Sequence, residues 1–195
     1  MDSNFNISKI DIEQHLTPEK ARISMIIYSA MFMGVLLFAF LILFLFSQKN
    51  SYLNEIASGS NSLNTIIYLT IISLIAGIFI PNIVIKFLYS PSKLASIFKG
   101  FSNKDIPAKV DFLIGKSREL LIIKAAPLEG AALFGAAGLF IAIKEGQIYS
   151  NGNYWYLLIP AIIFLLYIII NFPTKQKQID SIEKNLINVL RNSGL

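Results

Sequence analysis

The chain has no cysteine, and histidine occurs once, at His15. The first absence excludes disulfides, thiolate metal sites and a cysteine nucleophile. The second excludes a histidine-rich metal site, and no cofactor is expected. Charge is also scarce, at 15% of residues against about 25% in a typical soluble domain. In its place, 54% of the 195 residues are hydrophobic. Mean hydropathy is +0.60. A chain this short has too much surface for its volume to hide so many apolar side chains from water. These numbers argue against a soluble globular enzyme and for a membrane protein.

A bilayer core about 30 Å thick needs about 20 apolar residues in a helix. Four stretches qualify: about 23–46, 66–85, 120–143 and 154–172. None has the strict alternation of a barrel strand, so the expected spans are helices. The fold class is therefore an all-α integral membrane protein with four transmembrane helices. Tyr154, Trp155 and Tyr156 open the fourth span, as aromatic anchors at an interface do. A polar stretch of 22 residues precedes the first span, which is too long for a signal-peptide core and is expected to persist.

Lysine and arginine set the expected orientation. The segment 1–22, the loop 86–119 and the tail 173–195 together hold 14 of them. The other two loops hold Lys49 and Lys144, and Lys124 falls inside a span. The positive-inside rule then puts both termini and the central loop in the cytoplasm. The net charge of +5 reads as a topology signal. No aromatic-basic module for nucleic acid accompanies it. The domain expectation is one membrane domain over 1–195, with cytoplasmic pieces and no separate soluble domain.

Three of those pieces look ordered. Thr17-Pro18-Glu19 combines a hydroxyl cap, proline at the first helical position and an acid near the dipole, so the first helix can start at Pro18. Leu94, Ile97, Phe98 and Phe101, after Ser90-Pro91, make a short amphipathic stretch suited to the inner leaflet. Val110, Leu113 and Ile114 can extend the third helix downward from Pro107. After Pro173-Thr174, residues Ile179, Ile182, Leu186, Val189 and Leu190 form one apolar face. This amphipathic C-terminal helix either lies solvated at the membrane surface or docks on a partner or second copy.

Residues 26–41 and 122–137 echo one another at a spacing of 96, with six identities in 16 positions: Ile26, Ile27, Ala30, Gly34, Leu37 and Phe38 find identical partners. Apolar helices share letters by chance, so coincidence stands beside a tandem duplication of a two-helix hairpin.

Glu129 is the residue that most needs explanation. A charge near the middle of a span costs about 2.5–3.5 kcal/mol on insertion scales. Such a carboxyl is protonated, paired, or faces a wet cavity. Lys124 lies five residues away, about 140° around the helix, and can snorkel to the cytoplasmic side. Asn82 is another candidate partner. Around Glu129, the pairs Ala126/Gly130, Ala131/Gly135 and Gly138/Ala142 are small-xxx-small, the pattern that lets helices approach in lipid. Pro127 removes a backbone hydrogen bond and should kink the helix there. Glu129 is then either polar glue between helices or a group that carries a proton, cation or ligand.

The stretch Ala125-Ala126-Pro127-Leu128-Glu129-Gly130-Ala131-Ala132-Leu133-Phe134-Gly135 resembles the carboxyl-bearing helix of rotary ATPase proteolipid subunits. That resemblance implies a protonatable carboxyl at Glu129. The whole chain also resembles small uncharacterised bacterial four-span proteins, in which a Pro-Thr-Lys segment follows the last span, as Pro173-Thr174-Lys175 does here. It implies a bacterial cytoplasmic membrane and no particular activity.

Three functions compete on this sequence. The first is a non-enzymatic accessory or scaffold subunit, or a self-associating bundle. Its partners are the bilayer and copies of itself or other membrane proteins. The second is a proton- or cation-linked proteolipid or small carrier built on Glu129. The third, a membrane-embedded enzyme, lacks a Ser-His pair, a metal cluster and a phosphate-cradling loop.

Overall fold

The computed structural model describes residues 7–49, 61–100 and 104–192. Among them nearly every residue is helical and none is in a strand. The order is α1 (Lys9–His15), α2 (Pro18–Lys49), α3 (Asn61–Leu88), α4 (Pro91–Lys99), α5 (Ile106–Lys144) and α6 (Gln147–Ser150). A 3-10 turn, Gly152–Leu158, leads into α7 (Ile159–Ile170). Then come α8 (Lys175–Ile182), a π turn over Glu183–Ile187, and α9 (Asn188–Asn192). The loop 50–60, and Phe101 and Asn103 of the central loop, lie outside the described residues.

Four of these stretches are long and apolar enough to cross a membrane: Pro18–Gln48, Asn64–Leu88, Ile106–Lys144 and Gly152–Ile170. They contain the first three expected spans, and the fourth ends at Ile170, short of the expected residue 172. The first and third helices are longer than those spans, for reasons local to their starts. At α2 the Thr17 hydroxyl accepts from the Lys20 N–H at 3.3 Å, capping the helix just before Pro18. At α5 the Asp105 side chain accepts from the Ala108 N–H at 3.4 Å. Helix α5 ends at Lys144, where Gly146 takes a left-handed φ of 75° that a β-carbon would disfavour.

The chain groups into two compact units. Unit 1 comprises residues 1–28, 81–124 and 172–195; unit 2 comprises 29–80 and 125–171. Helices α2, α3 and α5 each contribute to both.

Unit 1 has its own apolar core. Ile12 and Leu16, Leu94 and Phe98, and Val110, Leu113, Ile114 and Leu120 meet Ile179, Ile182, Leu186, Ile187 and Leu190 there. Each such side chain contributes about 1.5–3 kcal/mol when fully buried. Phe98 and Phe112 pack edge to face, 5.4 Å between centroids. The amphipathic stretch after Pro91 therefore turns Leu94 and Phe98 into this core, while Ile97 remains 39% exposed. The C-terminal helix docks as well, and its surface is this same chain. The apolar spacing in both segments serves protein packing.

Unit 2 is cored by Ile42, Ala136, Leu139, Ala142, Ile143, Ile148, Tyr154 and Leu157. Phe46 stacks on Tyr149 at 5.4 Å and meets Trp155 edge-on at 4.9 Å. The Tyr149 hydroxyl donates to the Phe46 carbonyl at 3.3 Å. The Tyr154 hydroxyl donates to the Gln147 side-chain oxygen at 3.0 Å. Outside this core the helices are apolar too: Phe40, Ile72, Phe79 and Ile170 are each at least 60% exposed.

Candidate functional site

Within unit 2, the small residues of α5 divide into two faces. Ala131, Gly135, Gly138 and Ala142 are buried. A β-carbon on Gly135 would run into the Leu157 backbone carbonyl, with Thr70 beside it. One on Gly138 would meet Ile66 and Leu157 side chains. One on Gly77 of α3 would stand 3.0 Å from the Pro127 carbonyl oxygen. These glycines and alanines bring α3, α5 and the start of the fourth span into backbone contact. Two of the three small-xxx-small pairs on α5 thus pack inside the unit.

The third pair does not. Ala126 and Gly130 are exposed, and nothing lies within 4 Å of a β-carbon placed on Gly130. Their echo partners on α2, Ala30 and Gly34, are also exposed, and Gly34 is equally open. The boundary between the units falls after Tyr28 on α2 and after Lys124 on α5, again 96 residues apart. One turn earlier the echo extends to Lys20 and Arg22, matched by Lys116 and Arg118.

Glu129 lies between these faces and is partly buried. Among the described residues its carboxyl has no hydrogen-bond or ion-pair partner. Pro127 stands two residues before it, inside a helix that continues through the proline. Of the candidate companions, Lys124 and Asn82 belong to unit 1. Lys124 is partly buried, with no ion pair among the described residues, and Asn82 is exposed and engaged elsewhere. A carboxyl in such surroundings can exchange a proton or hold a cation when a second donor reaches it. Among the described residues no three His, Asp or Glu side chains are grouped to hold a metal.

The sequence reading missed the polar group that ties unit 1 together. Gln178 is 3% exposed. Its amide nitrogen donates to the Ala21 carbonyl at 3.0 Å and to the Pro173 carbonyl at 2.7 Å. Its oxygen accepts from the Ser24 hydroxyl at 3.1 Å. The signal was present: Gln178 is four residues before Ile182, on the apolar face of the tail. Lys9 donates to Asp180 at 3.2 Å and approaches Glu183 at 3.5 Å, joining α1 to the tail. Lys20 pairs with Asp111. Lys116 pairs with Glu119 at 2.6 Å, beside Tyr89. Burial, with the Glu119 carboxylate adding to it, pushes the Tyr89 hydroxyl well above its ordinary value. Arg118 donates to the Lys20 carbonyl, and among the described residues neither its Nε nor the buried Ser117 hydroxyl has a hydrogen-bond partner.

Comparison with protein families, curated proteins and solved structures found no match.

Proposed function

We propose that the chain is a multi-pass protein of a bacterial cytoplasmic membrane with both termini inside. It acts without catalysis, as an accessory or scaffold subunit that associates with copies of itself or with other membrane proteins. The observation that carries the membrane reading is the outer surface of unit 2, where side chains such as Phe40, Phe79 and Ile170 are 69%, 62% and 67% exposed. Soluble monomers rarely expose large contiguous apolar patches, whereas lipid tails cover such surfaces at no cost. The association reading draws on the open Ala30/Gly34 and Ala126/Gly130 faces, at matching positions in two echoing helices. That correspondence also supports a duplicated hairpin.

Alkaline extraction of membranes tests the first statement. The chain should stay with the bilayer fraction, and release into the supernatant would refute it. Cross-linking in native membranes tests the second. Gly34→Leu with Gly130→Leu should abolish a self-cross-linked species, because leucine fills the space a second backbone would enter. Wild-type protein that stays monomeric and brings down no other membrane protein would remove the scaffold reading.

A second reading has its own observation, the unpartnered carboxyl of Glu129 beside Pro127. It makes the chain a proton- or cation-linked proteolipid or carrier. Carbodiimide labelling across pH 5 to 9 should then modify Glu129 and spare Glu129→Gln. Absence of labelling at every pH would leave Glu129 a structural residue.

A further inference from the structure

Several cations of unit 1 are occupied: Lys9, Lys20 and Lys116 sit in ion pairs, and Arg118 reaches a carbonyl. Arg22, Lys86, Lys93 and Lys124 differ, having no acidic partner among the described residues. Glu19, three residues before Arg22, forms no ion pair with it. These four share a second property. Arg22 is followed by Ile23 and Ile26, which are 44% and 59% exposed. Lys86 stands between Ile83 and Phe87, which are 67% and 66% exposed. The Lys93 ammonium lies 3.3 Å from the centroid of that Phe87 ring. Lys124 follows Ile122, which is 40% exposed.

Large apolar side chains left uncovered are unfavourable in water, and a cation beside them gains nothing from burial. The two together suit the boundary of a bilayer, where the apolar part enters the acyl region and the cation reaches phosphate. Four cations without acidic neighbours in pairing range favour a lipid of net negative charge over a zwitterionic one. We infer that the four places on unit 1 marked by Arg22, Lys86, Lys93 and Lys124 bind the headgroups of anionic phospholipids. The inference rests on the membrane reading above and names the lipid class that reading leaves open.

The test uses the full chain reconstituted in phosphatidylcholine bilayers, probed with spin-labelled phosphatidylglycerol and spin-labelled phosphatidylcholine. Lipids held against the protein give a motionally restricted component. The anionic probe should be preferred about fivefold, the effect of one well-placed cation. The preference should fall toward unity in about 0.5 M salt, where screening reaches only a few ångström. It should also fall when Arg22, Lys86, Lys93 and Lys124 are all changed to glutamine, and persist in Lys9→Gln. The salt arm needs no variant, so misfolding of the quadruple variant cannot hide the answer. Restricted components of equal size for both probes would overturn the inference and leave the membrane reading intact. So would a preference that survives in the folded quadruple variant. No restricted component for either probe would overturn the membrane reading and this inference with it.

Discussion

Helix α5 presents Val110, Leu113, Ile114 and Leu120 to the core of unit 1, and Ala131, Ala132, Ala136, Leu139 and Ala142 to the interior of unit 2. One continuous helix thus follows two packing rules. In the first half, branched and long apolar side chains fill the core, and the helices around it carry caps, ion pairs and the buried amide of Gln178. In the second half, small residues let backbones touch around Leu139, while Leu133 and Phe134 stay 38% and 40% exposed. On the membrane reading proposed above, the difference follows from the solvent each half would meet. Water drives burial of bulk. Lipid supplies no such drive, so helices are held by close van der Waals contact, which small residues permit.

The largest effect should come from the core of unit 1. Leu113→Ala removes a fully buried side chain and should cost about 2–5 kcal/mol. Hydrogen exchange should accelerate through α4, α8 and α9, while amides of α7 keep their protection. Equal acceleration in α7 would break the comparison, because the two units would then unfold as one.

Next in size is a glycine pair that separates the rules inside unit 2. Gly135→Ala pushes a methyl into the Leu157 carbonyl, which is backbone and cannot rotate aside, so overpacking of about 1–3 kcal/mol is expected. Gly130→Ala meets nothing within 4 Å and should be neutral, or stabilising by up to about 1 kcal/mol through helix propensity. Unfolding of both variants in the same detergent gives the sign of each. Equal gains would mean that helix propensity, and not backbone approach, governs these positions.

Much of this division was legible in the residues. The four apolar stretches, the helix starts at Pro18 and Pro91, the downward extension of α5 and the apolar face of the tail all follow from local spacing and capping. Spacing alone does not say what covers an apolar face. Leu94 and Phe98 fit a lipid surface and a protein core equally well, and only the long-range return of the tail decides between them. The small-xxx-small pattern likewise marks Ala126/Gly130 and Ala131/Gly135 alike, although one pair is open and the other closed. The neighbours that distinguish them, Thr70 and Leu157, are far away in the chain. Glu129 stood out in the sequence because it is alone, and its surroundings among the described residues add no partner.

A smaller effect tests the polar tie of unit 1. Gln178→Ala leaves the Ala21 and Pro173 carbonyls without their donor, at a cost of about 1–3 kcal/mol for buried groups left unpaired. Limited proteolysis should cut first near residues 173–182. Unit 2 should resist as before. Tail cleavage no faster than wild type would show that the apolar contacts of Ile179 and Ile182 hold the tail alone.

The smallest effect lies at the surface of unit 1 and depends on pH. The Ser8 N–H and hydroxyl each donate to the Asp11 carboxylate at 2.7 Å, and the Asp11 N–H donates back to the Ser8 oxygen at 3.2 Å. This capping box at the start of α1 holds the Asp11 carboxyl below its ordinary 3.8, mainly through the Ser8 backbone bond. A folded value below the unfolded one means the contribution is complete above the unfolded value and lost as pH falls through the folded one. Lys9, raised above its ordinary 10.5 mainly by its hydrogen bond to Asp180, runs the other way. Its contribution is complete below the unfolded value and lost as pH rises through the folded one. The α1 segment should therefore loosen at both extremes, at the acid end through its cap and at the alkaline end through its tie to α8. Carbon-13 titration of the Asp11 carboxyl should give a midpoint below that of an ordinary aspartate, and Ser8→Ala should move it upward. An unshifted midpoint in the wild-type protein would mean that the box is open in solution, and that α1 is held by Ile12, Leu16 and the Lys9 ion pairs.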